Sequence, residues 1–207
     1  MSSQLTLFPV SPTLNEIKAG LHLGSFLTVL GMETMSTDFD ATDWKERLFD
    51  RVARLYPTRR GEQCGSAVCR RIRFMYGEVY KHDQLNDATH RAIHEMFGTA
   101  NLGSFNHIAE MLRKDRVVDK DGNDVYLPNL ERLAIPISFL HGEENRLFLP
   151  KGSEMTYELL REKNGEHLYT RHVVPGYSHM DMFIGKDSAR DVYPIVLAEL
   201  DKHNADR

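Results

Sequence analysis

Two short stretches hold the side chains best suited to chemistry, His141-Gly-Glu-Glu-Asn-Arg146 and Pro175-Gly-Tyr-Ser-His-Met-Asp181. The first directly follows the apolar run Ile135 to Leu140, and the second directly follows Leu168 to Val174. Both preceding segments have the length and composition of strands, and each is closed by a glycine turn. Neighbouring parallel strands lie about 4.8 Å apart, so loops leaving the same end can bring an acidic group against an imidazole. That is the geometry of an acid orienting a histidine general base. It is also the geometry of a turn glycine beside a half-buried, hydrogen-bonded histidine, and the spacing leaves both readings open.

The elements that must position these loops follow from the hydrophobic period. Between the two strands Met155, Leu159 and Leu160 mark a helix ending near Asn164-Gly165. Asp191 opens a last helix with Pro194 in its first turn and Val192, Ile195, Val196 and Leu200 toward the core. Strand, helix, strand, helix predicts an α/β fold with parallel strands, right-handed crossovers and functional loops at the strands' carboxyl ends. Upstream, Gln4 to Phe8 reads as one strand closed by Pro9 and Pro12. From Thr13 onward the period is helical. Thr13 with Glu16 and Asp43 with Glu46 fit capping boxes, the first opening a stripe of Leu14, Ile17, Leu21 and Leu27 or Leu30 that stops at Gly31. The second opens a stripe of Trp44, Leu48, Val52, Leu55 and Tyr56 that stops at Pro57. Further helices are predicted over Asn86 to Phe97 and along Leu102, Phe105, Ile108, Ala109 and Leu112, and Asp121-Gly122 predicts a hairpin turn within Val117 to Tyr126. The expected organisation is one structural domain: a first core strand in 1–12, a helical cap region in 13–132, and a C-terminal βαβα half in 133–207.

Composition narrows the function classes. The 207 residues are 41% hydrophobic and 27% charged, which is a folding, globular composition rather than a disordered one. Twenty-six basic and thirty acidic side chains give a formal charge of −4, with no electrostatic footprint for nucleic acid. No apolar run approaches the roughly 20 residues of a membrane span, and the first residues lack a basic, then apolar, leader, so the expected compartment is cytoplasmic. Cys64 and Cys69 are too few for a disulfide framework and two ligands short of a zinc site unless histidines join them.

Leu133 to Arg146, followed by a helix and then His172 to Asp181, resembles the C-terminal part of an α/β-hydrolase, in which the triad runs nucleophile, acid, histidine along the chain. More narrowly, His141-Gly-Glu-Glu-Asn145, Gly176-Tyr-Ser-His-Met-Asp181 and Ala189-Arg-Asp-Val-Tyr-Pro194 are similar to hydrolase-like domains fused behind, or related to those fused behind, glucose-methanol-choline (GMC) flavoprotein oxidoreductases of the cholesterol-oxidase type. Lys18 to Gly24, Val68-Cys-Arg-Arg71 and His82-Asp-Gln-Leu-Asn86 extend that likeness over nearly the whole chain. The resemblance implies a partial α/β-hydrolase fold, with about three core parallel strands, flanking helices and a mainly helical cap. It places His179 on the family's general base and Asn145, three residues after Gly142, where the family usually keeps its acid. An asparagine can hold an imidazole by a hydrogen bond but cannot offset the charge that forms when the base takes a proton. Glu144 is therefore the candidate substitute acid, an exposed loop charge being its other reading, and Asp181 is expected to shape the histidine loop.

The family's nucleophile sits on a Gly-x-Ser-x-Gly elbow, and no complete elbow occurs in this sequence. Gly176-Tyr-Ser-His-Met180 imitates its first half, but Met180 replaces the closing glycine and Ser178 adjoins His179. The resulting expectation is the C-terminal half of an ester or lipid hydrolase that supplies the general base and is inactive alone. The alternative is a non-catalytic accessory domain of a GMC flavoprotein. Expected partners are an upstream hydrolase half or a GMC flavoprotein domain, an apolar ester or lipid-like molecule, and a second copy paired through the incomplete sheet. The apolar molecule would rest against cap residues such as Phe26, Trp44, Phe74, Met75, Tyr76, Met96 and Phe97, although for any single one of them ordinary packing of a helical cap is the more frequent role. No cofactor and no metal ion are expected. His90 and His94 stand four apart on one helix, yet Arg91 occupies the place of the zincin glutamate. Asp119-Lys-Asp-Gly-Asn-Asp124 lacks the register of a calcium loop, with Leu130 where the bidentate glutamate belongs.

Overall fold

The computed structural model describes residues 2–3, 6–13, 34–37 and 44–204. A three-stranded parallel sheet carries the architecture, in the order β1 (Ser2–Ser3), β4 (Ile137–Gly142), β5 (Tyr169–Val174). Ser2 pairs with Phe139, and Ile137 through Gly142 pair in step with Tyr169 through Val174. The central strand is buried from Ser138 to Gly142, as a parallel strand covered on both faces must be. Alternation sends successive side chains to opposite layers. Phe139 packs with Leu7, Leu130, Leu160 and Tyr169 on one side, and Leu140 packs with Val174, Tyr177, Met182 and Val192 on the other.

The first layer is closed by α5 (Pro150–Asn164), which starts on a proline and ends at Gly165, where φ is +104°. The second is closed by α6 (Asp181–Ile184), α7 (Ser188–Asp191) and α8 (Tyr193–Asn204), the last holding Pro194 at its second residue. The expected final helix opens at Tyr193 rather than at Asp191, which closes α7, and the fully buried Val192 lies between the two.

The segment between β1 and β4 is mainly helical: α1 (Trp44–Arg54), α2 (Ala67–Tyr76), α3 (Asp87–Met96) and α4 (Leu102–Arg113). Asn86 caps α3 by accepting from the Thr89 N–H at 2.8 Å, and Ser66 caps α2 by accepting from Cys69. A third cluster, Cys69, Ile72, Val79, Tyr80, Leu85, Ile93 and Phe97, binds α2 and α3 together. Two short antiparallel strands, β2 (Thr34–Ser36) and β3 (Thr99–Asn101), pair beside it. No helix among the described residues is long and apolar enough to cross a membrane.

Several expectations are corrected. The first strand lies at Ser2–Ser3 and not at Gln4 to Phe8; Gln4 and Leu5 lie outside the described residues. Leu7 has left the sheet to cover α5, its N–H donating to Thr156 Oγ1 at 3.1 Å and its carbonyl accepting from Val117 at 2.9 Å. Of the helix predicted from Thr13 to Gly31, all but Thr13 lies outside the described residues. The hairpin at Val117 to Tyr126 is a turn without strands, because the Asp119 carboxylate takes the N–H groups of Asp121 and Asn123 that a ladder would use. The stripe of α1 from Trp44 through Leu55 is exposed among the described residues, Leu55 at 82%. The inner side of α1 instead presents Phe49, edge-on to Phe74 at 5.1 Å, and buried Asp50, which accepts from Arg70 at 2.9 Å.

Candidate functional site

Both loops leave the carboxyl ends of β4 and β5, and they touch. Asn145, 1% exposed, donates from Nδ2 to His179 Nδ1 at 3.1 Å. The orientation of its amide follows from its other end: Oδ1 accepts the backbone N–H groups of Leu147 at 2.9 Å and Phe148 at 3.1 Å, so only the NH2 group can face the imidazole. His141 ties the same loop down, donating from Nε2 to the Phe148 carbonyl at 2.9 Å, and the Phe148 ring stands edge-on to His179. Close backbone approach joins the two loops. A Cβ on Gly142 would lie 2.1 Å from the Ser178 carbonyl oxygen, and the Glu144 N–H donates to the Tyr177 carbonyl at 2.9 Å.

Burial, with His141 nearby, pulls the His179 imidazole down to about 4, so it is neutral at physiological pH. A neutral imidazole that accepts at Nδ1 carries its proton on Nε2. That is the opposite tautomer to the one a histidine base needs when Nε2 must take a proton from a nucleophile. Burial likewise lowers His141.

The predicted acid substitute is placed differently. Glu144 is turned to Lys81, Nζ to Oε1 3.0 Å, and is exposed, while Asn145 occupies the position against Nδ1. Asp181 shapes the histidine loop, accepting from the Ser178 N–H at 2.9 Å; burial pushes its carboxyl up to about 6. Ser178 itself is 2% exposed. Beside it opens a cleft of about 210 Å³ lined by Arg59, Glu62, Tyr80, Lys81, Glu144 and Ser178, a charged lining rather than an apolar one. Of the residues offered as an apolar pocket wall, several take the ordinary packing role: Met75 and Phe97 are buried, and Tyr76 lies against Phe97 and Phe105. Trp44 and Met96 are exposed, and Phe26 is outside the described residues.

A second group of reactive side chains lies behind the histidine loop. Cys64, Cys69, His82 and His90 bring one ligand atom each to within 4.8 Å of one another. Cys69 Sγ is 3.2 Å from His90 Nε2, and the rings of His82 and His90 are 5.3 Å apart. A hydrogen bond between the two sulfurs favours the thiolate on Cys69 and the thiol on Cys64, moving their pKa values apart. His94, four residues from His90 on the same helix, is instead within hydrogen-bond reach of the Arg91 carbonyl at 3.0 Å. Cys64 and Cys69 were legible as half of a ligand set; His82, in a single 3-10 turn at His82–Gln84, carries no local signal of its own.

Comparison with protein-family models, with curated proteins and with solved structures finds no match to this chain.

Proposed function

We propose that this chain is the cap and acid/histidine half of an α/β-hydrolase-like domain of the ester- or lipid-handling kind, with His179 in the base position. The observation that carries the reading is the contact between Asn145 and His179 at the carboxyl ends of two adjacent parallel strands joined through α5. The missing nucleophile would come from sequence outside these residues. A histidine base contributes about 10²–10⁴-fold to turnover when it can accept the nucleophile's proton.

One observation favours a second reading, a non-catalytic accessory domain of a GMC flavoprotein. The Asn145 amide donates to Nδ1, and the Nε2–H tautomer that follows makes His179 a hydrogen-bond donor rather than a base. The link to a flavoprotein rests on the sequence resemblance.

The polypeptide isolated from source cells by its Gly176-to-Asp181 segment, with its intact mass measured, is the material for the test. Hydrolysis of p-nitrophenyl esters that falls at least about 10²-fold in His179→Ala supports the base role. Hydrolysis unchanged in that variant overturns it. A folded protein that neither turns over esters nor reacts with a fluorophosphonate supports the accessory reading.

A further inference from the structure

We infer that Cys64, Cys69, His82 and His90 form a tetrahedral site for one Zn²⁺ ion, closed by four protein ligands, that ties α2 and α3 to the platform beneath the histidine loop. The inference is independent of whether the domain hydrolyses anything.

Zinc–sulfur bonds of about 2.3 Å and zinc–nitrogen bonds of about 2.0–2.1 Å require ligand atoms about 3.3–3.8 Å apart. The four atoms here lie within 4.8 Å of one another, and Cys69 Sγ and His90 Nε2 are already at 3.2 Å. Two thiolates and two imidazoles are the donor set that selects zinc over magnesium or calcium. All four positions are protein ligands, which leaves no open position for substrate and makes the site structural.

The most specific observation concerns His82. Its Nδ1–H donates to Glu62 Oε2 at 2.7 Å, and Glu62 also accepts the His82 backbone N–H at 3.2 Å. In the neutral ring that a metal ligand must be, this leaves a lone pair on Nε2, a buried atom with no hydrogen bond of ordinary geometry and with Cys69 as its electrostatic neighbour. A carboxylate fixing one ring nitrogen so that the other faces a metal is the usual support of a zinc-bound histidine. The orphaned buried nitrogen is explained by the ion it would hold.

The local chain supplies the ligands for identifiable reasons. Cys64 precedes the Ser66 cap of α2 and Cys69 lies in the helix's first turn, with four residues between them, within the usual cysteine spacing. Seven residues separate His82 and His90, more than in a zinc finger, and the two meet because α3 folds back onto α2 through Ile72, Leu85 and Ile93. Both cysteines bind as thiolates, any thiol proton displaced passes to solvent, and no oxidation state changes.

The segment that carries His82 also carries the histidine loop. Met180 donates to the Val79 carbonyl at 2.7 Å, Lys186 donates to the Gln84 carbonyl at 2.7 Å, and Gln84 Nε2 donates to the Gly176 carbonyl at 2.9 Å. A metal holding His82 therefore steadies the turn that presents His179.

The test uses the full chain expressed with zinc and purified under reducing conditions. Metal analysis is expected to give one zinc per chain, and a zinc chelator is expected to lower the melting temperature. Exchange into Co²⁺ is expected to show thiolate-to-cobalt charge transfer together with the visible bands of tetrahedral cobalt. Glu62→Gln, which leaves all four ligands in place, is expected to weaken zinc by about 10–100-fold in competition with a chromophoric chelator. His94→Ala, on the same helix as His90, is expected to leave the affinity unchanged. A Co²⁺ spectrum without thiolate charge transfer, a Glu62→Gln affinity equal to the parent's, or a Cys64–Cys69 disulfide in the reduced preparation overturns the site.

Discussion

Replacing Asn145 by aspartate tests the tautomer of His179 most directly. In the parent chain Oδ1 is committed to the N–H groups of Leu147 and Phe148, so the amide nitrogen faces Nδ1 at 3.1 Å. In Asn145→Asp one oxygen keeps those two bonds, and the other takes the place of the NH2 group. An ionised carboxylate only accepts, so Nδ1 must become the protonated nitrogen. Burial and His141 hold the parent imidazole down to about 4. A carboxylate in contact raises a histidine by about 1–3 units, or about 1.4–4 kcal/mol in favour of the charged ring. The expected result is a pKa of about 5–7 and a shift of the neutral ring from the Nε2–H to the Nδ1–H tautomer. Long-range ¹H–¹⁵N spectra of the histidine rings, followed over pH, report both quantities, because a protonated ring nitrogen and one with a free lone pair resonate far apart. An Nδ1–H tautomer in the parent protein, or a substituted protein with the parent's tautomer and pKa, would refute the reasoning. In serine-protease triads the reverse exchange costs about 10⁴ in kcat through the same tautomer change. Any ester hydrolysis by the native polypeptide should accordingly rise in Asn145→Asp.

Three further outcomes follow from the packing. Glu199, 3% exposed, is disfavoured as a carboxylate by burial, but Lys202, Ser138, Thr170 and His172 outweigh this and bring it from 4.5 down to about 2. A depressed carboxyl stabilises the fold above its unfolded pKa and loses that contribution as pH falls, so urea melts between pH 5 and pH 2 should show a loss on the order of 2 kcal/mol that Glu199→Gln abolishes; an unchanged acid limb in the variant would count against it. Gly142→Ala should destabilise by about 3 kcal/mol and move the His179 resonances, since its methyl would meet the backbone carbonyls of Tyr177 and Ser178; a parental melting temperature is the contrary result. Finally, among the described residues β1 pairs with β4 alone, and the 207-residue chain is expected to self-associate through sheet edges, which a monomer by light scattering with a cooperative melt would contradict.

Local periodicity was sufficient for most elements of the second half. The run ending at Gly142, the helix ending at Gly165 and the strand ending at Val174 sit where the apolar spacing and glycine stops put them. It failed where a side chain competed with the backbone, as at Asp119, and where a helix had two plausible inner faces, as at α1. There Phe49, Asp50 and Ala53 face inward, Asp50 held by Arg54 and Arg70, and the more apolar Trp44 stripe faces outward. The site divides in the same way. That the loops after β4 and β5 meet was readable from the order of elements. That Asn145 rather than Glu144 meets His179 depends on which of two adjacent side chains points inward.

The sequence by itself determined an α/β arrangement, the two loops that face each other, and His179 as the imidazole between them. These depend on interactions a few residues apart or on the general chirality and spacing of parallel strands, so they are encoded locally. Only the tertiary structure decided the direction of the Asn145 amide, the diversion of Glu144 to Lys81, and the gathering of Cys64, Cys69, His82 and His90. Those depend on how α2 and α3 dock and on where two backbone N–H groups end up, which are long-range outcomes of packing. A helical spacing of four puts His94 on the same face as His90 but one turn further along α3, and only His90 lies level with the cysteines, while His94 is half exposed and bonded to the Arg91 carbonyl.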